Sequence, residues 1–71
     1  MALAGEILSL INKKGNVEIG EIQDLFSLNK ETTYTITLFL VKFGFAEWDK
    51  NKKYIRLSKM YKRFLEETEA D

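Results

Sequence analysis

Neither cysteine nor histidine occurs in the 71 residues, and proline is missing as well. A chain this short buries only about 60% of the surface its unfolded form exposes, so a lone core supplies roughly 3–5 kcal/mol. Small domains usually add a disulfide, a metal or a second subunit. Without Cys and His the first two routes are closed. The fold must come from well-patterned apolar side chains in one domain over residues 1–71, and a second subunit is the remaining way to bury more. The same absences remove thiol nucleophiles, serine-type triads and most transition-metal sites. The remaining carboxylates, Lys and Tyr form no reaction centre, so a non-enzymatic protein with no cofactor and no metal is expected. Apolar runs such as Leu38 to Val41 fall far short of the roughly 20 residues of a membrane span. The first residues lack the basic and apolar regions of a secretory leader, and the chain reads as cytoplasmic.

Charge is distributed unevenly although the formal net charge is zero. Residues 1–29 carry two Lys against four carboxylates. Residues 30–63 carry nine bases against Glu31, Glu47 and Asp49, and residues 64–71 carry only the acids Glu66, Glu67, Glu69 and Asp71. A basic middle segment therefore lies between two acidic ones, and local charge says more about partners than the net value. The terminal acids read as a solubilising tail. Glu21 and Asp24, three residues apart, read as a solvated face and not as a metal site.

Apolar periodicity divides the chain into elements. Leu3, Ile7, Leu10 and Ile11 recur at helical spacing before Lys13, Lys14 and Gly15, which predicts a helix over 2–14. Asn16 to Glu18 reads as a short extended link. Ile19, Ile22, Leu25 and Phe26 predict a short helix over 19–26. Ser27 to Asn29 form a turn, and Asn29 caps a helix predicted over 30–43, ahead of Gly44. The β-branched run Thr32, Thr33, Thr35, Ile36, Thr37 and Val41 makes a strand the rival reading, but the capping Asn29 and terminal Gly44 favour the helix. Residues 45–49 and 53–57 read as a hairpin around the turn Asp49–Lys52, with Ile55 and Leu57 on one face and Tyr54 and Arg56 on the other. Ser58 can cap a last helix over 58–68 that carries Met60, Tyr61, Phe64 and Leu65.

The order helix, link, helix, tight turn, helix, hairpin, helix resembles a winged helix-turn-helix domain, an α+β fold that is mainly helical, with a three-helix core, a β-hairpin wing and a C-terminal helix. The residues that carry the resemblance are VEIGEIQDLFSLNKETTYTITLFLVKFGFAEWD and KNKKYIRLS. Leu28–Asn29 looks like the corner between the second helix and the recognition helix. Gly44–Phe45 looks like the step into the wing, and YIRLS resembles the strand that closes it. Compact archaeal and archaeal-virus regulators are similar in size and ending. The resemblance implies a duplex-DNA-binding transcriptional regulator with its third helix in the major groove and its wing on the backbone. Carried over residue by residue, the contacts are Lys30, Thr32, Tyr34, Thr35, Leu38 and Lys42 on the helix, and Lys50, Asn51, Lys52, Lys53 and Arg56 on or beside the wing.

Residue chemistry supports part of this independently. Clustered Lys neutralises phosphate, while Thr, Tyr and Asn hydrogen-bond phosphates or base edges. An ordinary solvated turn would have a similar tip. Between Thr32 and Val41 no charged or amide side chain occurs, so the strongest base readers are absent from the recognition helix. Spacing places Thr33, Ile36, Leu40 and Phe43 toward the core, Tyr34, Leu38 and Val41 on the opposite face, and Phe39 to one side. An outward Tyr–Leu–Val stripe would suit docking of a protein partner, the alternative to DNA, unless the helix is rotated so that part of the stripe is core. Trp48 reads as a wing-base core residue in preference to a stacking platform. Apolar faces on the first and last helices favour a homodimer built from those two helices.

Overall fold

The computed structural model describes residues 2–69 and is a mainly helical α+β domain of four helices and one three-stranded antiparallel sheet. Met1, Ala70 and Asp71, the last of them part of the expected acidic tail, lie outside the described residues. Helix α1 spans Ala2–Lys14, strand β1 Asn16–Glu18 and helix α2 Ile19–Leu25. Helix α3 spans Lys30–Lys42, strands β2 and β3 Ala46–Trp48 and Tyr54–Leu57, and helix α4 Lys59–Glu69. No described helix is long and apolar enough to cross a membrane.

The element ends follow from local chemistry. Gly15 sits at φ 89°, where a Cβ is disfavoured, and its N–H donates to the Ile11 carbonyl at 2.7 Å to stop α1. Asn29 Oδ1 accepts the Thr32 N–H at 2.7 Å, as the capping reading required. At the other end of α3, Gly44 N–H bonds the Val41 carbonyl and Phe45 N–H the Leu40 carbonyl, the paired bonds of a Schellman motif with Gly44 at φ 85°. This motif ends α3 at Lys42, one residue before the predicted end.

Strand β3 is central, with β1 and β2 on its two sides. Val17 and Trp48 both face Ile55, and Ala46 faces Leu57, so these five side chains share the inner face. The extended link of the sequence reading is thus a third strand, which ties α1 and α2 to the hairpin. Ile7 and Ile11 of α1, Ile22 of α2, and Ile36 and Leu40 of α3 close the core over this face.

Two β-branched threonines join the core without cost in unpaired hydroxyls. Thr33 Oγ1 donates to the Asn29 carbonyl at 2.8 Å and Thr37 Oγ1 to the Tyr34 carbonyl at 3.0 Å. Thr33, Ile36 and Leu40 therefore face inward as expected, with Thr37 beside them. Phe43 does not; it is 66% exposed, because the chain leaves the helix axis at the Schellman turn and Phe45 reaches inward instead. Val41 and Leu38 are half-buried, and Val41 packs on the core, so the expected outward Tyr34–Leu38–Val41 stripe is not a continuous exposed face.

Ser58 fixes the start of α4. Its hydroxyl donates to the Gly44 carbonyl at 2.6 Å and accepts the Tyr61 N–H at 3.1 Å. Ser58→Ala removes the cap and leaves the half-buried Gly44 carbonyl short of a partner, which should lower stability by about 1–2 kcal/mol. A urea titration followed by circular dichroism checks this, and an unchanged midpoint would contradict it.

Candidate nucleic-acid interface

The hairpin tip is held by one carboxylate. Asp49 Oδ1 accepts the backbone N–H groups of Lys53 at 2.7 Å and Tyr54 at 3.0 Å, and the Asp49 carbonyl accepts from Lys52 N–H at 3.0 Å. Lys52 takes a left-handed conformation, φ 56°, to close the turn. The Tyr54 N–H bond above all, with that of Lys53, holds the Asp49 carboxyl below its ordinary range. A depressed folded pKa means that the carboxylate supports the turn above the unfolded value, about 3.9, and that this support fades as pH falls through the folded value. Amide chemical shifts of Lys53 and Tyr54 should therefore titrate together with a midpoint below about 3.9 and become flat in Asp49→Ala. Independent or unshifted titration would remove Asp49 as the organiser of the tip.

The hairpin base packs on α3 through aromatic side chains. The Tyr34 ring stacks on Trp48 with centroids 5.9 Å apart and planes within 12°. Lys52 Nζ lies 5.0 Å from the centroid of the Trp48 ring. Trp48 is half-buried against the core, as the core reading expects in part, and it also serves as a stacking platform for Tyr34 and faces a cation. Hairpin and helix share one groove of about 520 Å3, lined by Lys30, Tyr34, Asn51, Lys52 and Lys53 together with Gln23 and Glu18.

Five of the eleven sequence-predicted contacts therefore come together from two separated segments. The others lie outside this groove. Thr32, Thr35 and Lys42 are exposed along α3, where Thr35 Oγ1 is engaged with the Glu31 carbonyl at 2.9 Å. Leu38 is half-buried and Lys50 stands exposed at the tip. Arg56 is on the outer face of the sheet, where its Nε donates to Glu47 Oε1 at 3.2 Å. Gln23 is a lining residue that the sequence reading did not single out. Its signal was slight, an amide on the α2 face next to the turn.

Ion pairing separates the lysines. Lys53 Nζ is 3.7 Å from Glu18, and Lys14 pairs with Glu21, while Lys30, Lys42, Lys50 and Lys52 form no ion pair among the described residues. No group of three or more carboxylates among the described residues is placed to hold a metal ion. The groove offers three cations, two amides and a phenol ring beside the Glu18 carboxylate, a set whose cations and amides suit phosphate and base contacts. No protein-family model, curated protein or solved structure matches this chain.

Proposed function

We propose that this chain is a winged-helix domain that binds duplex DNA, in the manner of a transcriptional regulator. Helix α3 would enter the major groove and the Lys-rich hairpin would lie against the phosphate backbone. The observation that carries the reading is the shared groove, which Lys30 and Tyr34 from α3 line together with Asn51, Lys52 and Lys53 from the hairpin. Lys53 is paired with Glu18 and Lys52 lies over Trp48, but Lys30 has no ion pair among the described residues, and a polyanion along the groove would neutralise all three. Base readout is modest in this reading, since Tyr34, Thr35 and Gln23 replace the usual Arg, while phosphate contacts supply most of the affinity.

The test is fluorescence anisotropy of a mixed-sequence labelled duplex, titrated with the protein at about 50 and about 200 mM salt. Binding that weakens steeply with salt is expected. Absence of binding at the lower salt, across a pool of duplex sequences, would overturn the reading.

A further inference from the structure

Helix α4 carries its charges against its own dipole. Lys59, Lys62 and Arg63 occupy its N-terminal half and Glu66 and Glu67 its C-terminal half, with no acid in the first turn and no base in the last. A helix prefers the reverse, acids at the start and bases at the end. The single described ion pair along it, Arg63 to Glu67 at 3.8 Å, is wide and solvent-exposed, with the base first, the less favourable order.

The same helix is only half used by the core. Tyr61 and Leu65 pack inward, Tyr61 edge-on to Phe45 at 5.1 Å, whereas Met60 and Phe64 are 72% and 58% exposed. An apolar groove of about 260 Å3 runs between Phe43, Phe45, Met60 and Phe64, and the exposed ring of Phe43 lies 4.8 Å from that of Phe39, also exposed. On α1, by contrast, no large apolar side chain is exposed among the described residues.

We propose that this face is covered by a second copy of the chain, with the two α4 helices antiparallel across a two-fold axis. The charge order identifies the occupant. A basic-then-acidic helix is complementary to itself only when reversed, and reversal also opposes the two dipoles favourably. With Phe64 placed on the axis against Phe64 of the partner subunit, Arg63 falls beside Glu67 of the partner subunit, and symmetry makes that contact twice. Met60 and Phe43 then cover the flanks of the ring pair. A chain of zero net charge meets no overall repulsion in pairing with itself. The contact uses α4 and the end of α3, a different pairing of elements from the α1–α4 dimer that the sequence favours. It does not depend on the DNA reading.

The experiment is sedimentation equilibrium of the full chain and four variants, without DNA. The native chain should be dimeric at about 100 µM. Phe64→Ser should be monomeric with its helical circular dichroism retained. Arg63→Glu and Glu67→Arg, alone, each set like charges together twice and should raise the dissociation constant at least about tenfold. The double variant should regain dimerisation, and an equimolar mixture of the two single variants should associate as a heterodimer. That mixture is decisive, because a purely intrahelical pair is not repaired by mixing. A monomeric native chain, a dimer indifferent to Phe64→Ser, or a mixture that stays monomeric would each overturn the proposal.

Discussion

Replacing Lys50, Lys52 and Lys53 together by alanine should flatten the salt dependence of duplex binding. Each lost phosphate contact lowers the slope of log affinity against log salt by about 0.9, so three lower it by about 2.7. Between about 50 and about 200 mM salt, the native protein should then weaken about 40-fold more than the variant. The lysines are free to act in this way. Lys50 and Lys52 form no described ion pair, and the partner of Lys53, Glu18, is 3.7 Å away with both side chains solvated. All three are exposed, and their removal leaves the Asp49 bonds to backbone N–H groups in place, so the fold should survive. The loss should be similar for every duplex sequence, since phosphate contacts carry no base information. Equal slopes for variant and native protein would remove the wing from the interface.

The largest stability effect is expected at Ile55. This side chain is fully buried on the central strand, opposite Val17 on one neighbour and Trp48 on the other. Ile55→Ala removes most of a core side chain where both neighbouring strands are pinned, so the cavity can collapse little. A cost of about 3 kcal/mol follows, close to the whole margin of roughly 3–5 kcal/mol open to a domain of this size. That leaves roughly 0–2 kcal/mol, so the variant should unfold at a far lower urea concentration than the native chain. Arg56→Ala, one residue away on the outer face, should shift stability by no more than about 0.5 kcal/mol. Urea denaturation of the two variants side by side checks the contrast, and near-equal midpoints would mean that β3 is not the keystone of the core.

The accuracy of the sequence reading tracks how local each signal is. Helix α1 was legible to the residue because Gly15 and the two lysines before it act within one turn. The Asn29 and Ser58 caps were legible for the same reason, each satisfying an N–H three residues away. Gly44 was recognised as the stop of α3, but where the stop sends its neighbours was not. A Schellman turn changes the chain's direction, so Phe43, in phase with Ile36 and Leu40 on a helical wheel, leaves the core and Phe45 enters it.

The candidate site divides in the same way. Its lysines are plain in the sequence, because a cluster of like charge on a turn needs no tertiary knowledge to be noticed. Which of them share a surface was not legible. Lys30 and Lys53 are 23 positions apart and line one groove where Tyr34 stacks on Trp48 and the hairpin base packs onto α3. Arg56 is adjacent in sequence to that group and faces away, because strand alternation turns it to the outer sheet face beside Glu47.

By itself the sequence determined the element order, most of the element ends, the inward face of the hairpin and the segregation of charge. These are matters of spacing, turn chemistry and capping, settled within a few residues. Only the tertiary structure decided that Asn16–Glu18 joins the sheet, that Trp48 links the hairpin to α3, and that Phe39, Phe43, Met60 and Phe64 are left facing solvent. Those outcomes depend on which apolar groups find partners first in a small core, and a core this small cannot hold them all.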